Sequence, residues 1–367
     1  MNNKAQKTVL VGMSGGVDST MTALLLLKQG YEVIGATMKI WDGRFEIKDQ
    51  HKSGCYGPDE EKDTEAAQKF AKKLGIKHIV VDLKKEYSQN VLDNYIATYL
   101  EGKTPNPCVR CNQKIKFGLL LEKARLSGLD FDYFATGHYA KVSYDKNKKR
   151  YLLKKAADKT KDQSYFLYRL SQSQLSELIF PLGSFTKESI KQLAKDSGFS
   201  ELAQKEESQD FFECKSNSLF FRDKKVTSGN IVDKNGKVLG THQGITNFTI
   251  GQRKGIKISS SQGPLYVAKI NAAKNEVVVG PKEDLFKTAL KVKDLNWISV
   301  EKLEKPLAAS AKTRLHQEEI VCTVSPAENE TALVKFDKPV FSPTPGQSIV
   351  FYSRNTVIGG GVIAEII

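Results

Sequence analysis

Residues 9–30 read VLVGMSGGVDSTMTALLLLKQG, and this stretch decides the fold. Its apolar start predicts a buried strand, two glycines interrupt the run, and Asp18 or Ser19 can cap the helix that follows. Gly15 and Gly16 leave bare backbone at the strand-to-helix turn, where N–H groups and the helix N-terminus favour a phosphate. The stretch therefore predicts a phosphate-binding turn.

Strands and helices alternate as far as about residue 215. The predicted strands span 8–13, 32–38, 78–83 and 133–135, and the predicted helices span 18–28, 59–74, 87–100 and 115–127. Such alternation predicts an α/β domain with a Rossmann-like parallel sheet that has helices on both faces. Ligands bind such sheets at the carboxyl ends of the strands, where the turn after residue 12 lies.

Beyond residue 215 the pattern changes to short apolar runs separated by Gly, Asn-Gly and Lys-Asn turns, which is typical of β-hairpins. We therefore expect two small, mainly β domains after the first, the last of them barrel-like. The predicted domains are 1–215 for the α/β part, 216–287 for a central β-rich part, and 288–367 for a C-terminal β-barrel.

The composition favours a polyanionic partner. The chain has 367 residues and a formal net charge of +14, from 56 Lys and Arg against 42 acidic residues. Such an excess favours nucleic acid, although a solvated Lys-rich surface would show it too. We find no signal peptide and no apolar run of membrane-spanning length, so we expect a cytoplasmic protein without a membrane partner. The five cysteines are an odd number for a disulfide framework.

The motif SGGVDS, residues 14–19, lacks the Gly-Lys-Ser/Thr of a Walker A loop and is not a dinucleotide GxGxxG. It resembles the PP-loop of ATP pyrophosphatases, which split ATP into AMP and pyrophosphate. In this interpretation Ser14 and Ser19 can donate to phosphate oxygens, and the Asp18 carboxylate can hold Mg²⁺ with the ATP. The alternative is a plain tight turn.

A second motif, KTPNPCVRCNQKIKFG at residues 103–118, places Cys108 and Cys111 in a CxxC spacing before a basic helix. Positive potential from Arg110, Lys114 and Lys116 would lower the pKa of a thiol here and favour the thiolate. The sequence thus predicts reactive cysteines.

With these stretches the chain resembles the tRNA-specific 2-thiouridylases (MnmA/TrmU) over nearly its whole length. The matching motifs are GMSGGVDS at 12–19, TPNPCVRCNQKIKFG at 104–118, ATGHYA at 135–140, KDQSYFL at 161–167, ESQDFFEC at 207–214, GTHQGITNFTIGQRKGI at 240–256 and PGQ at 345–347.

The resemblance implies a mechanism. ATP adenylates the 2-oxygen of the wobble uridine, position 34 of certain tRNAs, a cysteine persulfide attacks the activated carbon, and AMP leaves as 2-thiouridine forms. It implies Cys111 as the nucleophile and Cys214 as the persulfide carrier, which can close a disulfide after transfer. The implied partners are tRNA and a persulfide donor, either a cysteine desulfurase or a sulfur relay protein.

The resemblance also assigns binding residues. ATP would be bound by Gly12, Met13, Ser14, Gly15, Gly16, Val17, Asp18, Ser19, Met38 and Gly137. The target base would face Asn106, Pro107 and Cys108, and tRNA would contact Asp162, Gln163, Ser164, His138, Arg314 and Gln347. From the residues alone, His138 is interpreted as a structural residue at the end of a strand.

The chain departs from the family pattern at two places. Many members have Asp where this chain has Cys108, and the usual place of the persulfide cysteine is Phe212, two residues before Cys214. Either the loop shifts by two residues or Cys214 is not the carrier. The departures also raise the hypothesis of a [4Fe–4S] cluster on Cys108, Cys111 and Cys214, because thiolates are the usual ligands of such clusters.

Two other functions stay open at this stage. One is a PP-loop synthetase or amide ligase that acts on a small molecule, which would need neither the cysteine pair nor the basic charge. The other is a tRNA-binding paralogue that has lost thiolation, for which the shifted Cys214 is the reason. The remaining thiols, Cys55 and Cys322, are interpreted as packing residues, with a reactive role open for Cys55.

Overall fold

The computed structural model describes residues 6–45, 47, 54–204, 210–212, 217–258, 260 and 263–367. The chain divides into two compact units. The first comprises Met1–Val91, Cys108–Lys215 and Asn355–Val357, and the second comprises Leu92–Pro107, Ser216–Arg354 and Ile358–Ile367.

The first unit carries the α/β part of the chain. Its strands are Thr8–Gly12, Glu32–Lys39, Gly54–Tyr56, Lys77–Asp82, Tyr133–Thr136, Ala140–Asp145, Arg150–Lys155, Leu178–Ile179 and Asp210–Phe212. Its α-helices are Val17–Lys28, Glu60–Leu74, Lys84–Tyr87, Leu120–Leu126, Gln172–Ser176, Lys187–Asp196 and Ser200–Gln204. A further helix, Pro107–Cys111, also belongs to this unit except for its first residue, Pro107, which is assigned to the second unit. Two π-helical segments, Ser88–Leu92 and Asn112–Leu119, and the 3-10 turns Ser164–Leu167 and Pro181–Ser184 complete it.

Five strands of this unit form one parallel sheet, as the sequence predicted. The spatial order is Lys77–Asp82, Glu32–Lys39, Thr8–Gly12, Tyr133–Thr136 and Leu178–Ile179. The first strand of the chain is central. Glu32–Lys39 and Lys77–Asp82 lie on one side of it, and Tyr133–Thr136 and Leu178–Ile179 lie on the other. This reversal of strand order creates a switch point at the carboxyl end of Thr8–Gly12, which is where such sheets bind ligands.

The core of the first unit explains the apolar runs. Val9, Leu10 and Val11 are fully buried, as expected for a central parallel strand that is covered on both faces. Helix Val17–Lys28 packs on the sheet through Val17, Met21, Ala23 and Leu26.

The helix Glu60–Leu74 follows its local signals. Acidic residues fill its first turn, Lys72 and Lys73 fill the last, and Gly75 ends it in the left-handed conformation at φ 71°. The predicted helix over 59–74 is confirmed.

Three predicted helices differ in detail. The predicted helix over 115–127 is π-helical over Asn112–Leu119 and α-helical over Leu120–Leu126. Helix Val17–Lys28 is preceded by Gly16 as its N-cap, not by Asp18 or Ser19, because the Asp18 carboxylate is engaged elsewhere and Ser19 lies inside the first turn. The predicted helix over 87–100 is a succession of Lys84–Tyr87, π-helical Ser88–Leu92 and Asp93–Leu100.

The second unit is β-rich. It contains helix Asp93–Leu100 and a four-stranded sheet in the order Val238–His242, Gly229–Val232, Glu276–Gly280 and Tyr266–Asn271. Short 3-10 turns lie at Asn217–Phe221, Ile245–Asn247 and Lys282–Leu285. Six further strands close into an antiparallel barrel: Phe286–Trp297, Leu307–Lys312, Ile320–Ala327, Thr331–Phe341, Ser348–Ser353 and Thr356–Ile366.

The barrel interior confirms the packing role predicted for one cysteine. Cys322 lies among Val324, Val334 and Phe351, is 1% exposed, and has its pKa raised to about 12 by burial. The other cysteine interpreted as a packing residue is different, because Cys55 is exposed. Within the described part of the chain, no helix combines the length and hydrophobicity that a bilayer crossing requires.

Candidate active site

The turn after the first strand has the geometry of an anion site. Gly12 ends the strand, and the Ser14 backbone N–H donates to Ser19 Oγ at 3.2 Å, which folds residues 14–19 over the helix start. Ser19 Oγ in turn donates to the Gly16 carbonyl at 3.2 Å. No side-chain oxygen of the described residues caps this helix at Gly16, so its first N–H groups are not covered by a cap.

Two of the predicted ATP-site glycines are required by close approach. Gly15 has φ 70°, and a Cβ there would lie 2.5 Å from the carbonyl oxygen of Asp63. At Gly137 a Cβ would lie 2.8 Å from Asp18 Cβ and 2.9 Å from the Ser19 backbone nitrogen. The strand Tyr133–Thr136 thus ends directly against the turn, and both glycines let the backbone pack tightly there.

Asp18 is not an isolated carboxylate. Lys187 Nζ lies 2.8 Å from its Oδ1 and 2.7 Å from its Oδ2, and the Tyr139 hydroxyl donates to Oδ1 at 2.9 Å. Lys187 is 5% exposed. Sequence reasoning missed Lys187, because 169 positions separate it from Asp18 and no local pattern marks it.

Two consecutive hydrogen bonds, from His78 to Thr37 and from Thr37 to Met13, hold the backbone where the turn begins. Thr37 Oγ1 donates to the Met13 carbonyl at 2.7 Å, so it accepts from His78 Nε2 at 2.9 Å. Burial lowers the pKa of His78, which keeps the imidazole neutral at pH 7. Met38, predicted to bind ATP, follows Thr37 in the same strand, whereas the Met13 side chain is buried in the core.

The CxxC motif lies on a single helical turn. Cys108 and Cys111 belong to helix Pro107–Cys111, which continues into π-helical Asn112–Leu119. Both thiols are half-buried, and Asn112, next to Cys111, donates to the Phe166 carbonyl at 3.2 Å. The structure therefore fixes the turn that carries both cysteines.

The predicted lowering of the thiol pKa is wrong for Cys111. Burial raises the pKa of Cys111 to about 11, with the Cys55 thiol adding to the rise, and nearby Lys116 offsets only part of it. The Arg110 Nε donates to the Asn90 carbonyl. Desolvation outweighs the positive charges that the sequence shows.

An aromatic wall borders the thiols. Tyr56 stacks on Tyr87 at 5.5 Å between ring centroids, Trp41 meets Tyr56 edge-on at 4.7 Å, and the Tyr56 hydroxyl donates to Asp42 Oδ1 at 2.6 Å. The pKa of buried Tyr87 is raised, first by desolvation and then by the neighbouring cysteines 111, 55 and 108. Three thiols therefore lie around one tyrosine.

The strand that carries Cys55 also leads toward the predicted persulfide carrier. Gly54–Tyr56 pairs in parallel with Asp210–Phe212, and Phe212 is 8% exposed. At Phe212, which the resemblance aligns with the persulfide cysteine, this chain has a buried aromatic ring in contact with Phe211. Cys214 lies outside the described residues.

The iron–sulfur hypothesis finds no support in the described chain. Among those residues, no three His, Cys, Asp or Glu side chains converge as a metal site requires. Cys108 and Cys111 are two of the three proposed ligands, and the third, Cys214, is outside the described residues.

Several residues predicted to bind tRNA are engaged within the protein. Asp162 Oδ1 accepts from the Ala156 backbone at 3.0 Å and its Oδ2 accepts from Ser164 Oγ at 2.8 Å, while Gln163 Oε1 accepts from the Tyr139 backbone at 2.9 Å. Ser164 is fully buried. These side chains shape the loop 161–167.

His138 is enclosed by aromatic rings. Its ring centroid lies 5.6 Å from that of Phe117 and 6.0 Å from that of Phe180, and Thr136 Oγ1 lies 2.7 Å from Nδ1. Burial, with a contribution from Lys116, holds the pKa of His138 well below its ordinary value. The imidazole is therefore neutral at physiological pH.

In the second unit, the predicted base-facing loop meets the barrel. Gln347 Nε2 donates to the Pro105 carbonyl at 2.6 Å, the Thr104 backbone N–H donates to the Pro345 carbonyl at 2.9 Å, and Asn106 Nδ2 donates to Ser348 Oγ at 3.4 Å. Two residues that the sequence assigned to different contacts, Asn106 and Gln347, are thus brought together.

Arg314 has a similar internal role. Its Nη2 donates to the Ile250 carbonyl at 3.0 Å, to Ser342 O and Oγ at 3.1 Å each, and to Thr344 Oγ1 at 3.0 Å. These bonds connect the barrel to the turn that begins the GQRKG segment, all within the second unit.

These features define a class of multidomain nucleotide-binding protein. The class combines a parallel-sheet domain, with a PP-loop-type turn at its switch point and a CxxC helix, and a β-barrel that follows along the chain. Three family models match the chain in the same order: the tRNA methyl transferase HUP domain over residues 7–214, the tRNA methyl transferase PRC-barrel domain over 221–281, and the aminomethyltransferase β-barrel domain over 287–363.

The relatives are similar over nearly the whole chain. The tRNA-specific 2-thiouridylase MnmA of Endomicrobium trichonymphae is 47% identical over 98% of this chain and 99% of its own, and that of Acetivibrio thermocellus is 43% identical over the same shares. The chain belongs to the tRNA-specific 2-thiouridylase (MnmA) family. A solved 4-thiouridine synthetase–RNA complex with bound ATP matches at a TM-score of 0.33 and 15% identity over 56% of this chain and 44% of its own, too weakly to carry an argument.

Proposed function

We propose that this protein is an ATP-dependent tRNA-uridine 2-sulfurtransferase that acts on the wobble uridine. The observation that carries the proposal is the phosphate-binding turn at the switch point, in the same unit as the helical turn of Cys108 and Cys111. Membership of a family whose relatives are named 2-thiouridylases supports the choice of substrate.

In the first step the turn binds ATP, with Mg²⁺ as its counterion. The residues proposed to hold the nucleotide are Gly12, Met13, Ser14, Gly15, Gly16, Val17, Asp18, Ser19, Met38 and Gly137. The uridine 2-oxygen attacks the α-phosphate and pyrophosphate leaves. Backbone N–H groups at the helix start stabilise the charge that develops on the phosphates, which is the usual source of rate in phosphoryl chemistry.

In the second step sulfur replaces oxygen. The terminal sulfur of a Cys214 persulfide attacks C2 of the adenylated uridine, the C2–O bond breaks, and AMP leaves with the former uridine oxygen. The Cys111 thiolate then attacks Cys214 Sγ, which breaks the S–S bond, releases 2-thiouridine and forms a Cys111–Cys214 disulfide. A thiol reductant restores both cysteines, and a persulfide donor recharges Cys214.

The raised pKa of Cys111 affects the order of these reaction steps. Because Cys111 is mostly protonated before the reaction, it does not compete for the activated carbon or the donor. We propose that the second step needs deprotonation of Cys111, whose proton passes to solvent, with the Lys116 ammonium stabilising the thiolate.

The remaining assignments belong to the same proposal. Asn106, Pro107 and Cys108 would face the base, and the loop 161–167, with His138, Arg314 and Gln347, would present the tRNA-binding surface. Because several of these side chains are engaged within their own unit, we propose that, in each unit separately, they act mainly by fixing backbone groups that contact the RNA.

The test is a thiolation assay with purified protein, ATP, Mg²⁺, unmodified tRNA, and cysteine plus a cysteine desulfurase. Nucleoside mass spectrometry should detect 2-thiouridine with the wild-type chain and not with Cys111→Ser or Cys214→Ser. Cys322→Ala, which changes a thiol buried in the barrel, should retain activity. If Cys111→Ser formed as much 2-thiouridine as the wild type, the mechanism would be contradicted.

The same assay separates the alternatives. A small-molecule synthetase would consume ATP without tRNA, whereas the proposal requires tRNA for pyrophosphate release. A paralogue that has lost thiolation would bind tRNA and form no 2-thiouridine. A methyltransferase would need no pyrophosphate-binding turn, although the name of the matching HUP-domain model mentions methyl transfer.

A further inference from the structure

The ammonium group of Lys187 is a buried, paired charge in the first unit. It lies within 2.8 Å of both oxygens of Asp18, and the side chain is only 5% exposed. Its backbone N–H donates to Asp158 Oδ2 at 3.0 Å, which fixes the residue at the start of its helix. A lysine is rarely buried unless it is paired, so the pair with Asp18 is what permits this position.

Two helix N-termini meet at this pair. Asp18 is in the first turn of Val17–Lys28, and Lys187 is the first residue of Lys187–Asp196, whose N-cap Thr186 accepts from the Ser189 backbone. Each N-terminus carries a partial positive charge. With Lys187 present, the Asp18 carboxylate is neutralised and the net potential beside the turn stays positive. Without it, a carboxylate would face the phosphates of ATP.

The pair also bears on where Mg²⁺ can bind. Asp18 is the residue predicted to hold Mg²⁺, but both of its oxygens contact the ammonium group and one also accepts from Tyr139. Mg²⁺ demands near-octahedral geometry at short range, and the ammonium charge that contacts both oxygens would repel the cation and occupy the positions it needs. Metal can reach this carboxylate only if Lys187 moves, and a compact ammonium on a flexible stem is suited to phosphate as its next partner.

We propose that Lys187 is a residue of the nucleotide site that exchanges partners: it is the counterion of Asp18 in this structure, and it contacts the triphosphate of ATP when Mg²⁺ takes the Asp18 carboxylate. The inference rests on the proposed function only in that the turn binds ATP. Neither tRNA nor sulfur enters its test.

The test compares five chains: wild type, Asp18→Asn, Lys187→Gln, the double variant Asp18→Asn/Lys187→Gln, and Lys195→Met as a control. The double variant removes both charges and leaves two amides that can hydrogen-bond, so it avoids the unpaired buried charge of the single variants. Binding of a non-hydrolysable ATP analogue is measured by calorimetry with Mg²⁺ and with EDTA, below the melting transition of every variant. Lys195→Met, on the exposed face of the same helix, controls for loss of one positive charge.

In EDTA we expect Asp18→Asn to bind the analogue at least as tightly as wild type, because Lys187 is released toward the phosphates. The double variant should bind at least tenfold more weakly than Asp18→Asn, and Lys195→Met should bind like wild type. If the double variant and Asp18→Asn bind equally, Lys187 only supports the fold and the proposal is overturned. Absence of binding by the wild type would instead refute ATP binding at the turn, and with it the proposed function.

Discussion

At the scale of single residues, burial decides the chemistry of Cys111 more than the surrounding charge does. Burial raises the pKa of Cys111 and the Lys116 ammonium lowers it, and burial is the larger effect. The sequence shows the lysines but not the burial, because the aromatic wall of Trp41, Tyr56 and Tyr87 is assembled from separate segments. This is why the residues could be predicted and their protonation could not.

The first prediction concerns the pH dependence of Cys111. A thiol with a pKa of about 11 is protonated throughout the neutral range, so its alkylation rate should rise about tenfold per pH unit between pH 7.5 and 9.5. The rate is measured by iodoacetamide labelling and peptide mass spectrometry in a Cys55→Ser background. A rate that levels off below pH 8.5 would show that the thiolate is already stabilised without tRNA.

A second residue-scale prediction concerns the PP-loop-type turn. Gly15→Ala puts a Cβ 2.5 Å from a backbone oxygen at φ 70°, so the backbone must shift and the strain alone costs roughly 2 kcal/mol or more. Urea unfolding should show this loss together with loss of ATP binding. Gly30→Ala is the matched control: its φ is 86° but nothing lies within 4 Å of the added Cβ, so it should cost roughly 1 kcal/mol and leave ATP binding intact.

At the scale of elements, the strand–turn–helix unit and the helix Glu60–Leu74 follow from local patterns, because apolar runs, acidic and basic ends, and Gly75 lie within a few residues of each other. The helix cap at Gly16 does not follow from the local sequence pattern. Asp18 would be a good cap by residue type, but its carboxylate is held by Lys187 from a distant helix. Long-range pairs override local capping preference, and one sequence carries no signal for them.

The loop that is proposed to face the target base gives the third prediction. Gln347→Glu keeps the shape of the side chain but replaces the amide donor to the Pro105 and Thr104 carbonyls with an acceptor, leaving the loop without its anchor. We expect the single-turnover rate of thiolation to fall about tenfold, while the Kd for tRNA changes less than threefold. A larger loss of tRNA affinity than of rate would mean that Gln347 contacts the RNA itself.

At the scale of the whole molecule, the order of an α/β unit and β-rich parts was predictable, and the parallel sheet and six-stranded barrel confirm the predicted fold class. Boundaries near residues 215 and 287 stay a prediction. The assignment of residues 92–107 to the second unit was not foreseeable, because it depends on contacts such as Thr104 with Pro345 rather than on a change in composition.

The formal charge of +14 gives a prediction at this scale. If the basic surface binds the RNA backbone, binding releases counterions, and the Kd for tRNA should rise roughly a thousandfold between 50 and 200 mM salt for six or more phosphate contacts. Filter binding or fluorescence anisotropy measures it. A Kd that is flat with salt would contradict RNA as the substrate.

The central claim is that ATP activates the 2-oxygen of the wobble uridine for replacement by sulfur. The most direct measurement uses an anticodon stem-loop RNA with ¹⁸O at that oxygen, in the complete thiolation reaction, followed by mass spectrometry of AMP and nucleosides. Each turnover should yield one 2-thiouridine and one AMP that carries ¹⁸O. AMP without ¹⁸O alongside 2-thiouridine, or AMP formed without 2-thiouridine, would contradict this claim.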